Sequence, residues 1–146
     1  LAGVALDTLI DQMDIPRTVT TSLPVLMGGP VSPQSGWIVY DREDTLAAEG
    51  DEDRALVIGE RLAFTASLGV LEQMAHGDGP GRGVMLLGYS GWSAGQLERE
   101  MQQGSWIPAD LDLDLIFSTP VDERWTAALA ALGIDPGRMT AQVSSA

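Results

Sequence analysis

The segment Val84–Trp106, VMLLGYSGWSAGQLEREMQQGSW, carries the clearest structural signals in the chain. Its first six residues, Val84–Tyr89, are almost all apolar, which predicts a strand that is buried on both faces in the middle of a sheet. Gly88 and Gly91 follow, and glycines at such positions allow a tight turn. The segment therefore predicts a central strand that leads through a glycine-rich turn into a helix.

The helix in this segment is predicted from its start and stop signals. Ser93, followed three residues later by Gln96, forms a Ser-x-x-Gln capping box, so Ser93 is the predicted N-cap. Leu97 and Met101 recur at helical spacing and are predicted to face the core. Gly104 is predicted to end the helix.

Upstream of this segment the pattern predicts two helices and four strands. A first helix carries an apolar stripe and ends before Pro16, because the residue before proline avoids the helical region. A second helix starts at the N-cap Ser67 and ends at Gly77. The apolar stripe of the first helix contains Leu6, Leu9, Ile10 and Met13. The strands are predicted within TSLPVLMGGPV (residues 21–31), at Ser35–Asp41, and in a hairpin of RALVIG (54–59) and RLAFTAS (61–67).

Downstream, Leu111–Phe117 (LDLDLIF) alternates between apolar and polar residues, which predicts a half-buried strand near a sheet edge. Asp112 and Asp114 would lie on its solvent face. A last helix is predicted with Thr119 as N-cap and Pro120 at the first helical position. It is predicted to end at Gly133, with a buried stripe of Trp125, Leu129 and Leu132.

Composition narrows the class of protein. The 146 residues include 21 acidic and 8 basic side chains, a net charge of −13, and neither lysine nor cysteine. The arginines are scattered without a basic run, so we expect no direct nucleic-acid binding. We expect no transmembrane helix, because no apolar run is long enough. Residues 1–15 lack the features of a signal peptide, which together with the absence of cysteine predicts a cytoplasmic protein.

Taken together, several segments resemble the bacterial YqgE/AlgH family, the UPF0301 group. The strongest is GYSGWSAGQLE (88–98), followed by Trp106. The other segments that carry the resemblance are MGGPV (27–31), GWIVY (36–40), LEQMAHGDGP (71–80) and FSTPVDERWTAALAALGID (117–135). The resemblance spans nearly the whole chain. It implies a single α/β domain over 1–146, a two-layer sandwich with a curled, partly barrel-like mixed sheet flanked by helices.

The chain departs from the family pattern in two places. Family members begin with an additional segment that contains a strand pair, and this segment is not visible before Leu1. The strand that corresponds to Ser35–Asp41 often ends in histidine in the family, whereas this chain has Tyr40. The resemblance implies no catalytic residue. It does imply the role usually given to the family, transcriptional regulation.

Two glycine-rich turns are the candidate ligand-binding residues. A turn between a strand and a helix N-terminus exposes free N–H groups that can bind an anion. The alternative is that the glycines only permit tight turns and the aromatic residues pack. The candidate site consists of Gly28, Gly29, Gly88, Tyr89, Gly91, Trp92 and Ser93.

Other residues are weaker candidates. His76, the only histidine, lies in the last turn of its predicted helix without a catalytic partner in the sequence pattern. The stretch Asp41–Asp53 is predicted to be a solvated, mobile surface loop. The acidic groups Asp112/Asp114 and Asp51/Glu52/Asp53 lack a calcium-binding pattern. We therefore predict no catalytic residue, no metal site and no cofactor.

Two functions fit these observations. The first is a regulatory protein without catalytic activity that acts through a protein partner. The second is a small-ligand-binding protein or an enzyme that uses a pocket near Gly28–Val31 and Gly88–Ser93. Without the family's opening strands a sheet edge would be exposed, which predicts self-association.

Overall fold

The computed structural model describes residues 3–21, 23–44 and 55–139. The chain forms two compact units, Leu1–Gly91 and Trp92–Ala146. The strands are β1 (Val25–Met27), β2 (Val31–Asp41), β3 (Leu56–Ile58), β4 (Leu62–Thr65) and β5 (Gly83–Tyr89). The helices are α1 (Leu6–Gln12), α2 (Leu68–His76), α3 (Gln96–Gln102), α4 (Leu113–Phe117), α5 (Arg124–Ala131) and α6 (Pro136–Met139). A single domain over residues 1–146 stays a prediction.

The first unit contains a five-stranded mixed sheet in the order β1-β5-β2-β4-β3. Strand β1 pairs with β5 in parallel, and the other pairs are antiparallel. Strand β5 lies between β1 and β2, as its apolar sequence predicted. The mixed α/β class is confirmed, and the sheet is open rather than closed into a barrel, with β1 and β3 at its edges.

The core of the first unit forms where α1 and α2 pack on the sheet. Burial of each large aliphatic side chain stabilises the fold by about 1.5–3 kcal/mol. The buried cluster contains Leu6, Ile10, Val25, Ile38, Val70, Leu71, Met74, Ala75 and Met85. The predicted stripe of α1 is confirmed at Leu6 and Ile10. It is wrong at Met13, which follows the end of the helix and is exposed.

The termini of α2 agree with the sequence prediction. The Ser67 hydroxyl accepts a hydrogen bond from the Gly69 N–H at 3.2 Å. Gly77 adopts φ +88° immediately after the helix, in the left-handed region that glycine occupies at low cost. The predicted hairpin is also confirmed as β3 and β4, although all three residues of β3 are exposed.

The second unit contains no strand at LDLDLIF, contrary to prediction. Residues Leu113–Phe117 form α4. One carboxylate oxygen of Asp112 accepts hydrogen bonds from the N–H groups of Asp114 and Leu115, at 2.9 and 3.1 Å. Asp112 is thus an N-cap, and its satisfaction of two free N–H groups favours a short helix over the strand suggested by the alternation.

The last long helix begins later than predicted. The carbonyl of Pro120 accepts hydrogen bonds from the N–H groups of Glu123 and Arg124, which closes a turn before α5 begins at Arg124. Thr119 is therefore not its N-cap. Of the predicted buried stripe only Leu129 is buried. Trp125 is 59% exposed and Leu132 is 41% exposed, so the assignment of both to the core was wrong.

No helix among the described residues is long and apolar enough to cross a bilayer.

Candidate functional site

Two tryptophans of the second unit bind one carboxylate. The indole N–H groups of Trp92 and Trp106 both donate to Oε2 of Glu100, at 3.1 and 2.8 Å. The side-chain amide of Gln96 donates to the other oxygen, Oε1, at 3.1 Å. Glu100 lies in α3, so this helix fixes the segments before and after it through a single side chain.

These hydrogen bonds stabilise the charged form of the carboxylate. The indole of Trp106 makes the largest contribution to a lowered pKa of Glu100, followed by Gln96 and then Trp92, and together they outweigh desolvation. The rings of Trp92 and Trp106 pack edge to face, with centroids 5.6 Å apart. Trp92 is 39% exposed and Trp106 is 47% exposed, so the pair is fixed in position and open to solvent.

The predicted capping box forms only in part. Oε1 of Gln96 accepts from the Ser93 N–H at 3.0 Å and from the Ser93 hydroxyl at 3.1 Å. The hydroxyl therefore donates to Gln96 and does not cap the helix, which begins at Gln96 after Gly95 at φ +74°. Ser93 as the N-cap was wrong. Leu97 is half-buried, but Met101 is exposed and does not face a core.

The glycines of the first unit meet backbone to backbone. A methyl group on Gly28 would overlap the carbonyl oxygen of Gly88, and one on Gly29 would overlap the backbone of Tyr89 and Ser90. Gly88 itself has φ +73° and faces the carbonyl oxygen of Gly29. The Gly28 N–H donates to the carbonyl of Leu87 at 2.8 Å. The two turns therefore converge, and their glycines permit the close approach of these two backbone segments.

Aromatic rings line the same sheet beside this crossing. Tyr89 packs edge-on against Trp37, with ring centroids 6.4 Å apart. The rings of Trp37 and Phe64 are tilted against each other, with centroids 5.7 Å apart. The hydroxyl-bearing ring of Tyr89 is exposed, and a methyl group on Gly91 would lie 3.9 Å from it. The ligand-binding role of the candidate residues stays a prediction.

Sequence reasoning missed a buried carboxylate at the end of β2. Asp41 is fully buried, whereas it was predicted to begin a solvated loop. Its two oxygens accept hydrogen bonds from the Arg61 guanidinium, and Arg82 lies 3.6 Å away. The N–H of Glu43 donates to Oδ1 at 3.2 Å. The remainder of the predicted loop, from residue 45, lies outside the described residues.

Two opposing effects act on the pKa of Asp41. Burial raises it, while the hydrogen bond from Arg61, the Glu43 N–H and the charges of Arg61 and Arg82 lower it, with a lowered pKa as the result. The sequence signal for this cluster was available. Arg61 and Arg82 directly precede β4 and β5, whose starts meet the end of β2 because both pair with it in antiparallel fashion.

His76 lies in the last turn of α2 and is exposed. Its Nδ1 is 2.7 Å from the carbonyl oxygen of Glu72 in the same helix. The ring nitrogen therefore interacts with the helix backbone, a contact that orients the side chain at the helix end.

Comparison with known proteins identifies relatives over most of the chain. A family model described as AlgH-like matches residues 1–137. A UPF0301 protein of Jannaschia sp. is 39% identical over 94% of this chain and 70% of its own length. One of Stenotrophomonas maltophilia is 42% identical over 80% of this chain and 58% of its own length. One of Methylococcus capsulatus is 40% identical over 94% of this chain and 71% of its own length.

A solved structure shares the fold. The solution structure of the AlgH protein from Pseudomonas aeruginosa matches with a TM-score of 0.71 and 32% identity. The match covers 99% of this chain and 74% of that chain. Such a relative of known structure confirms the family resemblance that the glycine and tryptophan segments indicated.

Proposed function

Because this chain belongs to the AlgH-like family, we propose that it is a regulatory protein without catalytic activity that acts by binding another protein. The names of its relatives state no activity. The observation that carries the proposal is the exposed pair of Trp92 and Trp106, held by Glu100. Tryptophans that are partly exposed and already fixed in position are typical of the residues that dominate the energy of protein interfaces.

The fixed geometry of the pair favours binding. Both indole N–H groups are satisfied within the protein by Glu100. A partner can therefore cover the rings without leaving these donors unpaired. The rings also lose little rotational freedom on binding, since the hydrogen bonds hold them beforehand.

The two rings together form one exposed apolar feature. Trp92 and Trp106 pack edge to face, with centroids 5.6 Å apart, and both are partly exposed. Exposed apolar patches are typical of interaction surfaces. We refer to Trp92 and Trp106 as the tryptophan surface.

Charge indicates what chemistry the partner has. Residues 92–146 include eight acidic and three basic side chains, a net charge of −5, within a chain of −13. A partner with an apolar patch surrounded by basic residues is complementary to such a unit. The same charge disfavours direct binding to a phosphate backbone, so we propose that any effect on transcription passes through the partner.

The test compares two tryptophan variants. Proteins that co-purify with the tagged chain are identified, and each is then purified and titrated directly by calorimetry. We expect the double variant Trp92→Ala/Trp106→Ala to weaken binding about 1,000-fold, because two interface tryptophans at about 2 kcal/mol each contribute about 4 kcal/mol and about 1.4 kcal/mol is a factor of ten. Trp125→Ala is the matched control, since Trp125 is an exposed tryptophan of the same unit. Equal losses in both variants, or none in either, would contradict the proposal.

A second candidate function is the binding of a small ligand at the glycine crossing of the first unit. The specific observation is the indole N–H of Trp37, which is buried and has no acceptor among the described residues. A ligand with an acceptor group would satisfy it. A thermal-shift screen with nucleotides, phosphorylated metabolites and divalent metals tests this function. Binding at a hundredfold excess over Kd raises stability by about 2.7 kcal/mol, and a flat screen would argue against it.

A further inference from the structure

The tryptophan surface offers a partner the carbon surface of two rings and little hydrogen-bonding capacity. Both indole N–H groups donate to Oε2 of Glu100, at 3.1 and 2.8 Å, so the polar edge of each ring is already occupied. The other carboxylate oxygen, Oε1, accepts a hydrogen bond from Gln96 at 3.1 Å. The planes of the two rings lie 74° apart, and both side chains are partly exposed. What a partner can contact is therefore the π surface of the indoles.

The carboxylate makes this π surface attractive to a cation. The faces of an indole carry negative partial charge, and tryptophan is the aromatic residue that binds cations most strongly. Hydrogen bonds polarise the groups that they join, so an N–H that donates to a carboxylate leaves its ring richer in electrons. Glu100 stays charged, because its hydrogen bonds, with that from Trp106 the strongest, lower its pKa. The charge of Arg99 lowers the same pKa by the smallest contribution.

The charge of the second unit favours the same kind of ligand. Residues 92–146 include eight acidic and three basic side chains. An excess of negative charge attracts cations and repels anions over a distance of several ångströms. The exposed rings and the charge around them therefore both select a positively charged group.

We propose that the tryptophan surface receives an arginine side chain of the protein partner, with the guanidinium stacked on an indole face. The inference rests on the proposed function and names the group that the same surface recognises. A guanidinium is planar and weakly hydrated, and it stacks on aromatic faces. A lysine ammonium is compact and strongly hydrated, so it loses more hydration on contact with a ring. An aliphatic side chain would cover the rings without any attraction to the charge of Glu100.

Three fluorescein-labelled peptides test which group is recognised. Each has the sequence Lys-Lys-Leu-Xaa-Leu-Lys-Lys, with arginine, citrulline or lysine at the central position. Citrulline has nearly the shape of arginine and carries no charge. Binding to the full chain is measured by fluorescence anisotropy at low salt, where charges are least screened. We expect the arginine peptide to bind most tightly, and we define the arginine preference as the ratio of the Kd of the citrulline peptide to that of the arginine peptide.

Four variants locate the arginine preference. Trp92→Leu/Trp106→Leu keeps an apolar surface without π faces, and the preference should fall about two- to fivefold, the size of a cation–π contact at an exposed site. Trp125→Leu, which removes an exposed tryptophan of the same unit, should leave the preference unchanged. Glu100→Gln removes the charge beside the rings and keeps an oxygen that can accept from the indoles. It should lower the preference more than its control in the same helix, Glu98→Gln.

The outcomes separate this inference from the proposed function. If the unchanged protein binds the arginine peptide no more tightly than the lysine or citrulline peptide, the inference is overturned without any variant. An arginine preference that persists in Trp92→Leu/Trp106→Leu, or that falls equally in Trp125→Leu, would also overturn it. If Trp92→Ala/Trp106→Ala weakens binding of the partner while no arginine preference exists, the proposed function stands and this inference fails. Circular dichroism of each variant verifies that it is folded.

Discussion

The close contact between the two glycine turns makes Gly88→Ala a severe substitution. Gly88 has φ +73°, and a non-glycine residue in this region costs about 1–2 kcal/mol. The added methyl group would also lie within 3.0 Å of the carbonyl oxygen of Val31 and closer still to that of Gly29. Both contacts are backbone atoms, one in the turn after β1 and one at the start of β2, so neither can rotate away as a side chain would, and overpacking adds about 1–3 kcal/mol. The expected loss of unfolding free energy is therefore about 2–5 kcal/mol.

Urea unfolding followed by circular dichroism measures this loss. Gly77→Ala is the matched control in the same unit, because Gly77 also has a positive φ, of +88°. A methyl group there would meet only the side chain of Val19, at 3.3 and 3.6 Å. The control should therefore show mainly the cost of the backbone conformation. If Gly88→Ala is no more destabilising than Gly77→Ala, the backbone crossing does not form as described and the reasoning fails.

Three further predictions follow from the buried and hydrogen-bonded groups. Asp41→Asn should destabilise the protein by about 2–3 kcal/mol. Removing one partner of a fully buried ion pair costs about 3–5 kcal/mol, and the loss here is smaller because Arg61 is 40% exposed. The lowered folded pKa of Asp41 means that its stabilisation is present above the usual aspartate pKa of about 3.9 and is lost as pH falls through the folded value. Urea midpoints of the two proteins should thus converge in acid, and a constant difference would contradict the assignment. Glu100 should titrate below the usual glutamate pKa of about 4.3, seen as an acid transition in tryptophan fluorescence that disappears in Glu100→Gln. Trp125→Ala should change stability by less than about 0.5 kcal/mol, whereas Leu129→Ala should cost about 2–4 kcal/mol in the same urea assay.

Elements whose signals are local were predicted well. The capping hydroxyl of Ser67 and the left-handed Gly77 define α2 because each acts on its own helix end. Strand β5 was recognised because it is apolar on both faces, and the hairpin because its turn is short. The ends of α2 and the hairpin depend on residues that are near in sequence, and β5 is marked by its own apolar composition, so the sequence alone contains these signals.

Segments whose residue pattern fits two different structures were predicted less well. LDLDLIF alternates like a strand, but Asp112 caps a helix there, and the cap outweighs the alternation in a segment without a paired strand. Trp125 and Leu132 share a helical stripe with Leu129, yet only Leu129 is buried. A stripe shows which side chains share a helix face and leaves open how much of that face another element covers.

The candidate sites divide in the same way. Residue types and the family resemblance singled out the glycine turns and the segment that contains Trp92 and Trp106, and the ligand-binding role of the candidate residues stays a prediction. The binding of both indoles to a single oxygen of Glu100 could not be predicted, because the three residues are brought together only when α3 and its flanking turns form. Asp41 was misassigned for a similar reason, since its partners precede strands that pair with β2 far along the chain.

The sequence by itself therefore determined the family, the mixed α/β class, the helix ends marked by serine and glycine, and the strong negative charge. These properties depend on composition and on contacts over a few residues. Only the tertiary structure decided which apolar residues are buried and that Asp41 lies in the interior beside two arginines. It also decided that two partly exposed tryptophans donate hydrogen bonds to one carboxylate. Burial and ion pairing depend on which distant segments pack together, and that is a property of the folded chain.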